Sequence, residues 1–171
     1  MGRRRPVDRW DLPYRRVVGI MLINKNGHIW IGRRRPKWLP RDAPPVWQMP
    51  QGGIRDGETA REAALRELKE ETGVRSIEIV GEITDWLTWE LPDDLIGVAL
   101  KGQYRGQRQR WVAMRFLGED SEISLKTKGR KREFKDWRWA SPEEVIELAI
   151  SYRRPVYEKV LREFSQLLQP A

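Results

Sequence analysis

The stretch GGIRDGETAREAALRELKEETGV, residues 52–74, decides both the fold and the chemistry that this sequence can support. Its pattern predicts a glycine-rich turn, then a helix, then a helix C-terminal glycine at Gly73. On that helix Glu67, Glu70 and Glu71 are spaced at i, i+3 and i+4. Their carboxylates should therefore share one helix face.

A second face of the same helix carries Ala64, Leu65 and Leu68, which predicts packing against a hydrophobic core. The acidic face needs another explanation, because like charges at this spacing cost roughly 0.2–0.5 kcal/mol per pair. A hard divalent cation such as Mg²⁺ would reverse that cost, since Mg²⁺ prefers carboxylate and phosphate oxygens. The alternative is an acidic face that is only solvated, as most are.

The composition favours one folded domain. The chain has 171 residues, 39% of them hydrophobic, with nine tryptophans and no cysteine. Disulfides, zinc–thiolate sites and cysteine nucleophiles are therefore excluded. No apolar run approaches the roughly 20 residues that span a bilayer. The basic N-terminus is not followed by an apolar segment either. These features predict a cytoplasmic protein that does not use a membrane.

The formal net charge is +8, although the proposed metal-binding helix is acidic. The basic excess must then lie on other surfaces, where it would attract polyanions such as nucleotides or RNA. The alternative is that the lysines and arginines only maintain solubility or reflect a hot habitat.

Alternation and turn signals divide the rest of the chain into strands and loops. The sequence predicts a flexible basic arm at residues 1–13 and a single domain at residues 14–168. A proline-rich loop (36–45) and a basic loop (126–133) are also predicted. Strands are predicted at residues 17–23, 28–32, 46–49, 77–89, 95–100, 109–117 and 136–140.

Two further helices follow the last predicted strand. Ser141, Pro142 and Glu144 have the types expected at the N-cap, N1 and N3 positions of a helix. A final helix is predicted from about Pro155, with apolar residues on one face. Strands on both sides of a helix, with more helices at the end, predict a mixed sheet covered on both faces.

Residues 52–74 match the Nudix box, Gly-x5-Glu-x7-Arg-Glu-aliphatic-x-Glu-Glu-x-Gly-aliphatic, at every specified position. The flanking segments resemble those of one Nudix subgroup, the bacterial RNA pyrophosphohydrolases and dinucleoside polyphosphate hydrolases. These segments are YRRVVGI (14–20), WQMPQGGI (47–54), WLTWELP (86–92), GQRQRW (106–111), EFKDWRW (133–139) and YRRPVY (152–157).

The resemblance implies an α/β fold, an α/β/α sandwich with a mixed β-sheet, and a Mg²⁺ cofactor that Mn²⁺ could replace. Glu67, Glu70 and Glu71 match the metal ligands, and the Gly52 carbonyl is a further candidate oxygen. Three other residues match supporting or catalytic positions. Arg66 would steady a glutamate of the box, Glu58 would support the loop before the helix, and Glu133 would act as general base or further metal ligand.

The resemblance also implies substrate contacts. Arg15, Arg33 and Arg34 lie where phosphate-binding side chains are expected. Trp89 replaces a usual tyrosine and could stack on a base. Tyr152 and Arg153 match an aromatic–basic pair near the substrate. The alternative for each aromatic ring is an ordinary packing role, and for each arginine a solvated one.

These features predict a pyrophosphohydrolase that acts on nucleoside 5′-polyphosphates, with Glu67, Glu70, Glu71, Arg66 and Glu133 as its catalytic residues. Two substrates remain open, the 5′-triphosphate end of RNA and a dinucleoside tetraphosphate. The loop 36–45 and the basic arm depart from the subgroup pattern beside the expected phosphate site. A non-catalytic RNA- or nucleotide-binding module is a third interpretation, although no carboxylate of the box is missing. A monomer is slightly favoured.

Overall fold

A computed structural model describes residues 7–126 and 132–170. Within these ranges the chain forms seven strands and three α-helices. The strands are β1 (Tyr14–Ile23), β2 (Ile29–Arg34), β3 (Val46–Gln48), β4 (Gln51–Gly53), β5 (Ile77–Glu90), β6 (Gly106–Phe116) and β7 (Asp136–Ala140). The helices are α1 (Ala60–Thr72), α2 (Pro142–Glu147) and α3 (Arg154–Glu163).

The strands form one mixed sheet in the order β3-β2-β1-β6-β5. β1 and β6 are parallel, from the pair Tyr14–Gly106 to the pair Ile23–Arg115. The other pairings are antiparallel, with β4 beside β1 and β7 beside β2. The predicted mixed sheet is therefore confirmed.

Successive side chains of the central strands point to opposite sides of the sheet, and both faces of the sheet are apolar. One face packs against α1, through the buried residues Val18, Ile20, Leu22, Trp30, Val112, Met114, Ala60, Ala63, Ala64 and Leu68. The other face packs against α2 and α3, through Met21, Ile23, Ile29, Ile31, Trp111, Ala113, Val145, Val156, Tyr157, Val160 and Leu161. Helices on both faces of the sheet make the predicted α/β/α sandwich.

Helix α1 begins and ends where its sequence predicts. Thr59 caps the first turn in a capping box with Glu62, and Gly73 ends the helix with φ 74°. Ala64 and Leu68 are buried as predicted, whereas Leu65 is 43% exposed. The prediction for Leu65 was wrong because the sheet contacts a narrower stripe of α1 than the apolar residues cover.

The later helices also follow their capping signals. Ser141 caps α2 in a capping box with Glu144, and Pro142 occupies the first turn. Helix α3 begins at Arg154, one residue before the predicted start. Both helices thereby hold their apolar faces against the sheet.

The strand predicted at residues 95–100 is wrong. The chain instead forms two 3₁₀ turns, Asp93–Leu95 and Leu100–Gly102. Gly97 and the consecutive residues Leu100 and Lys101 have positive φ values of 81°, 53° and 58°. Left-handed backbone is incompatible with an extended strand, so the apolar run forms a compact loop instead.

The glycine-rich turn predicted before α1 is also wrong in part. Residues Gln51–Gly53 form strand β4, which pairs with residues 17–19 of β1. This pairing fixes the Gly52 backbone directly beside helix α1. A loop would not fix its position in this way.

The chain before β1 contacts the body of the protein through Arg9. Its guanidinium donates to the Leu91 carbonyl and forms an ion pair of 2.7 Å with Asp93. Residues 1–6 and 127–131 lie outside the described ranges, so the flexible arm and the basic loop stay predictions, as do the domain limits. Within the part of the chain described, no helix is long and apolar enough to cross a membrane.

Candidate active site

A cavity of about 960 Å³ opens beside the C-terminal half of α1. Its wall combines the acidic face of that helix with residues from strands β1 to β4, β6 and the loops before β7 and α3. The wall includes Arg15, Arg34, Gln48, Gln51, Gly52, Glu67, Glu70, Glu71, Gln107, Glu133, Tyr152 and Arg153. Most of the residues predicted from the sequence therefore meet at one place.

Arg66 organises the acidic face from within. Its Nε and Nη2 atoms each donate to Glu58 at 2.8 Å, and Nη2 also donates to the Gly53 carbonyl at 2.9 Å. Its Nη1 atom donates to Glu67 at 2.7 Å and to Glu70 at 3.3 Å. Arg66 thus ties strand β4, the loop before α1 and the acidic face together, the role that the Nudix resemblance implies for it.

This network changes the pKa of both partners. Hydrogen bonds from Arg66, and then from the Arg55 backbone amide, lower the pKa of Glu58 to about 2. The hydrogen bond to Glu58 in turn raises the pKa of Arg66. Both groups stay charged over the whole physiological range.

Gly52 is required by the close approach of strand β4 to α1. A Cβ atom at this position would overlap the carboxylate of Glu67. Glu67 is itself buried, with 8% exposure. Only glycine lets the backbone carbonyl and a glutamate of the helix lie this close, as a shared cation site requires.

Glu71 is the one carboxylate of this face that has an oxygen without a partner. Its Oε2 atom is buried and accepts no hydrogen bond from any residue within 7–126 or 132–170. Burial raises the pKa of Glu71 well above its usual value, and the charges of Glu133 and Glu67 raise it further. The charge of Arg34 and a hydrogen bond from the Gln51 backbone lower this pKa by less than burial and the two glutamates raise it.

Glu133 lies close enough to Glu71 for their charges to interact, although it comes from the loop before β7. Its carboxylate forms an ion pair of 3.2 Å with Arg34. Glu133 is exposed and adjoins a segment outside the described ranges. The fold therefore brings the predicted general base to the rim of the cavity.

The donor set fits a hard divalent cation. Carboxylate and carbonyl oxygens are the ligands that such ions take, and the orphaned Glu71 oxygen and the uncompensated charge around it would be satisfied by one. Across the described ranges, no three acidic or histidine side chains already form a ready-made metal group. Three arginines contact some of these carboxylates instead. Arg66 contacts Glu67 and Glu70, Arg55 contacts Glu70, and Arg34 contacts Glu133.

The predicted phosphate-binding arginines divide between two environments. Arg15 and Arg34 line the cavity, and Arg15 reaches close to the backbone of Gly53. Arg33 is not part of the wall, because consecutive residues of strand β2 point to opposite faces. The position of Arg33 outside the wall does not support the predicted phosphate contact, which stays a prediction.

The predicted aromatic–basic group forms one stack. Trp89 is 4% exposed, and its ring lies 4.9 Å from that of Tyr152 and 5.4 Å from the Arg153 guanidinium. Tyr152 and Arg153 line the cavity, whereas Trp89 lies beneath them. The surface that this stack offers to a base is therefore that of Tyr152, and stacking by Trp89 itself stays a prediction.

Four buried glutamines were missed in the sequence analysis, of which Gln48, Gln51 and Gln107 line the cavity and Gln109 contacts two of these. Gln109 donates to Gln51 at 3.1 Å and to Gln107 at 2.8 Å, while Arg153 donates to Gln48 at 2.7 Å. These residues are between 1% and 8% exposed. Amides at every second position of a strand, as in residues 107–109, are the signal that could have identified them.

The proline-rich loop 36–45 also contributes to the cavity. Pro36, Lys37 and Trp38 line it. Arg35 closes the loop by donating to the carbonyls of Pro40 and Ala43 at 3.1 and 2.8 Å. The insertion that departs from the subgroup pattern is therefore part of the candidate site.

The wall carries positive charge beyond the arginines that were predicted. Lys101 comes from the left-handed loop that replaced a predicted strand, and Lys135 precedes β7. An acidic helix face opposite a basic wall suits a cation and a polyphosphate bound together. This arrangement fits one class of enzyme, the hydrolases of phosphoanhydride bonds.

Comparison with known families agrees with this class. The NUDIX domain family matches residues 13–164. The chain therefore belongs to the Nudix family, whose members generally use divalent cations.

Similar sequences narrow the group further. The chain is 52% identical over 158 residues to an RNA pyrophosphohydrolase of Rhodopseudomonas palustris strain HaA2, covering 92% of this chain and 95% of that protein. It is 52% identical over 161 residues to an RNA pyrophosphohydrolase of Bradyrhizobium diazoefficiens, covering 93% and 96%.

Solved structures share the fold at lower identity. The E. coli dihydroneopterin triphosphate pyrophosphohydrolase has a TM-score of 0.64 at 19% identity, covering 88% of this chain and 99% of that one. The binary complex of a C. elegans Ap4A hydrolase has a TM-score of 0.62 at 18% identity, covering 89% and 98%. These likenesses establish the fold only.

Proposed function

We propose that this protein is a Mg²⁺-dependent pyrophosphohydrolase that removes pyrophosphate from the 5′-triphosphate end of RNA. One observation carries the proposal: the acidic face of α1, with an unsatisfied buried oxygen on Glu71, opens on a cavity whose other wall is basic. The names of the relatives at 52% identity support RNA as the substrate. The proposal includes action in the cytoplasm as a monomer.

Each residue has a defined part in the reaction. Glu67, Glu70 and Glu71 would hold Mg²⁺, with the Gly52 carbonyl as a further oxygen. When bound, Mg²⁺ would neutralise phosphate charge and lower the pKa of a bound water. Arg15, Arg34 and Arg153 would bind the polyphosphate from the basic wall, and Mn²⁺ could replace Mg²⁺.

Hydrolysis also requires a base. The water oxygen forms a bond to phosphorus, the bridging phosphorus–oxygen bond breaks, and pyrophosphate leaves. Glu133 or Glu70 would accept the proton of the water. The position of Glu133 at the rim supports this role, and Arg34 would orient its carboxylate through their 3.2 Å ion pair.

The substitution Glu70→Gln tests the assignment. It should abolish pyrophosphate release from triphosphorylated RNA, because a ligand charge or the base is lost while the side-chain volume is kept. Circular dichroism should show an unchanged fold. Glu163→Gln is the matched control, since Glu163 is exposed and does not line the cavity. Retained activity in Glu70→Gln would refute the assignment.

The second candidate substrate is a dinucleoside polyphosphate such as diadenosine tetraphosphate. The flanking segments WQMPQGGI (47–54) and WLTWELP (86–92) keep it open, because they resemble motifs of a subgroup that includes both activities. Measurement of kcat/KM on a triphosphorylated oligonucleotide and on diadenosine tetraphosphate separates the two substrates. Release of pyrophosphate or nucleotide from either, dependent on Mg²⁺ and abolished by EDTA, excludes the non-catalytic binding module.

A further inference from the structure

Trp86, outside the cavity, is surrounded by three arginines. The guanidinium carbons of Arg110, Arg108 and Arg16 lie 4.3, 5.0 and 5.4 Å from the centre of the indole ring. One such cation–π contact is common, whereas three on one ring concentrate three positive charges in a small area. We call these four residues the Trp86 cluster.

The sheet builds this cluster through strand register. Arg16 of β1 is directly opposite Arg108 of the parallel strand β6, and Arg110 is two residues further along β6 on the same face. Strand β5 has an irregular register between Ile83 and Leu87, and Trp86 lies in this irregular segment. Such bulges redirect side chains, and this one brings the indole over the arginines.

The charges of the Trp86 cluster are not balanced by carboxylates. In the two stretches of chain described, none of its three guanidinium groups forms an ion pair within 4.0 Å or donates a hydrogen bond to a protein acceptor. The Arg110 Nε atom is buried and has no acceptor. Arg61 nearby shows the usual solution, since its Nε donates to Glu82 at 2.8 Å. Guanidiniums gathered without a partner repel one another, and an anion that accepts several hydrogen bonds would remove this cost.

The Trp86 cluster lies close to the candidate active site, on the face of the sheet that packs against α1, because Arg16 and Arg110 share the face of Val18 and Val112. Arg15 and Gln107 line the cavity, and they directly precede Arg16 and Arg108 in the chain. A mononucleotide polyphosphate held at α1 would end within the cavity. A longer chain of phosphates could continue past the ends of β1 and β6 to the Trp86 cluster.

We propose that the Trp86 cluster binds the sugar–phosphate backbone of the substrate RNA beyond its 5′ end. This inference rests on the proposed function for the identity of the ligand. The three guanidiniums follow two adjacent strands, so they offer several donors to successive phosphates, while base edges are not contacted. The site should thus increase affinity for long RNA without sequence preference.

The test compares the binding of long and short RNA. The probe is a 5′-monophosphorylated single-stranded RNA of about 16 nucleotides, within the size range of single-strand sites. We expect the double substitution R108Q/R110Q to weaken its binding roughly tenfold in fluorescence anisotropy. The slope of log K against log salt should become shallower by about 0.7 for each phosphate contact that is lost. R162Q, an exposed arginine on α3, is the control with the same change in charge.

Catalysis on a triphosphorylated dinucleotide provides the second measurement. R108Q/R110Q should hydrolyse it with a kcat/KM within about twofold of the unchanged protein, which also shows that the variant folds. Lysines at both positions should restore most of the binding of long RNA, because phosphate contacts need charge more than geometry.

The possible outcomes separate the two proposals. Equal loss on long and short substrates, or equal loss in R162Q, would overturn the RNA-binding role of the Trp86 cluster. Unchanged binding of long RNA by R108Q/R110Q would also overturn this role. Binding of an acidic protein to the cluster would not rescue it. Failure of the unchanged protein to hydrolyse triphosphorylated RNA would overturn the proposed function, while the anisotropy result would still decide the binding site.

Discussion

Glu58 and Glu71 are two carboxylates beside the same helix, and their environments are opposite. Glu58, before the helix, accepts two hydrogen bonds from Arg66 and one from the Arg55 amide, and its pKa falls to about 2. Glu71, in the last turn, has a buried Oε2 atom without a donor among the residues described, and burial raises its pKa.

The difference separates support from chemistry. The charge of Glu58 is fully compensated by protein groups, which suits a residue that fixes the loop and Arg66. The Oε2 atom of Glu71 is left for a group that the described residues do not supply. A buried carboxylate in this state is costly to the fold and is expected at functional sites.

The largest expected effect is on catalysis by Glu71→Gln. We expect kcat/KM to fall at least about 10²-fold, since loss of a metal ligand removes several kcal/mol of charge stabilisation and each 1.36 kcal/mol is tenfold. The free energy of unfolding without cation should not fall, because burial and the charges of Glu133 and Glu67 disfavour an ionised Glu71. Steady-state kinetics and urea denaturation measure the two quantities. Near-normal activity of Glu71→Gln, or a marked loss of its stability, would contradict the functional difference between Glu71 and Glu58.

Glu58→Gln should show the reverse balance. Its melting temperature should fall, because the substitution leaves the partly buried Arg66 with a weaker partner. Activity should fall less than in Glu71→Gln, by about 10- to 100-fold, as for other residues that orient metal ligands. Thermal denaturation with parallel kinetics provides the comparison. A loss of activity as large as in Glu71→Gln, with unchanged melting, would make Glu58 a direct participant.

The smallest expected effect is on acid stability. The pKa of Glu58 is lowered from 4.5 to about 2, so the folded state releases this proton more readily than the unfolded state. The resulting stability is present above pH 4.5 and is lost as the pH falls towards about 2. Urea denaturation across this window should show a steeper loss in the unchanged protein than in Glu58→Gln. If the unchanged protein and Glu58→Gln lost stability in parallel as the pH falls, Arg66 would not lower the pKa of Glu58 in solution.

Local signals allowed most of the fold to be predicted from the sequence. The caps at Thr59, Gly73 and Ser141 act within one turn, so their residue types suffice. Strand β4 was missed because residues 51–53 are held by backbone pairing with β1, which leaves little trace in the side chains. The strand at 95–100 was wrong because left-handed residues interrupt its apolar run.

The site residues on helix α1 could be predicted from the sequence, whereas those on the strands were harder to predict. Glu67, Glu70 and Glu71 share a face by helical spacing alone. Arg33 and Arg34 are adjacent in the chain, and only the pleat of β2 decides that Arg34 lines the cavity. The buried glutamines and the Trp86 cluster depend on the register between strands, which a single sequence does not reveal.

The most direct test of the central claim is a crystal structure with Mn²⁺ and a non-hydrolysable nucleoside triphosphate. Anomalous scattering identifies Mn²⁺ without reference to the protein chemistry. We expect an anomalous peak coordinated by Glu71 and at least one of Glu67 and Glu70, with a phosphate oxygen in the same coordination shell. Nucleotide bound in the cavity with no Mn²⁺ at these glutamates would contradict the claim that the last turns of α1 form the catalytic metal site.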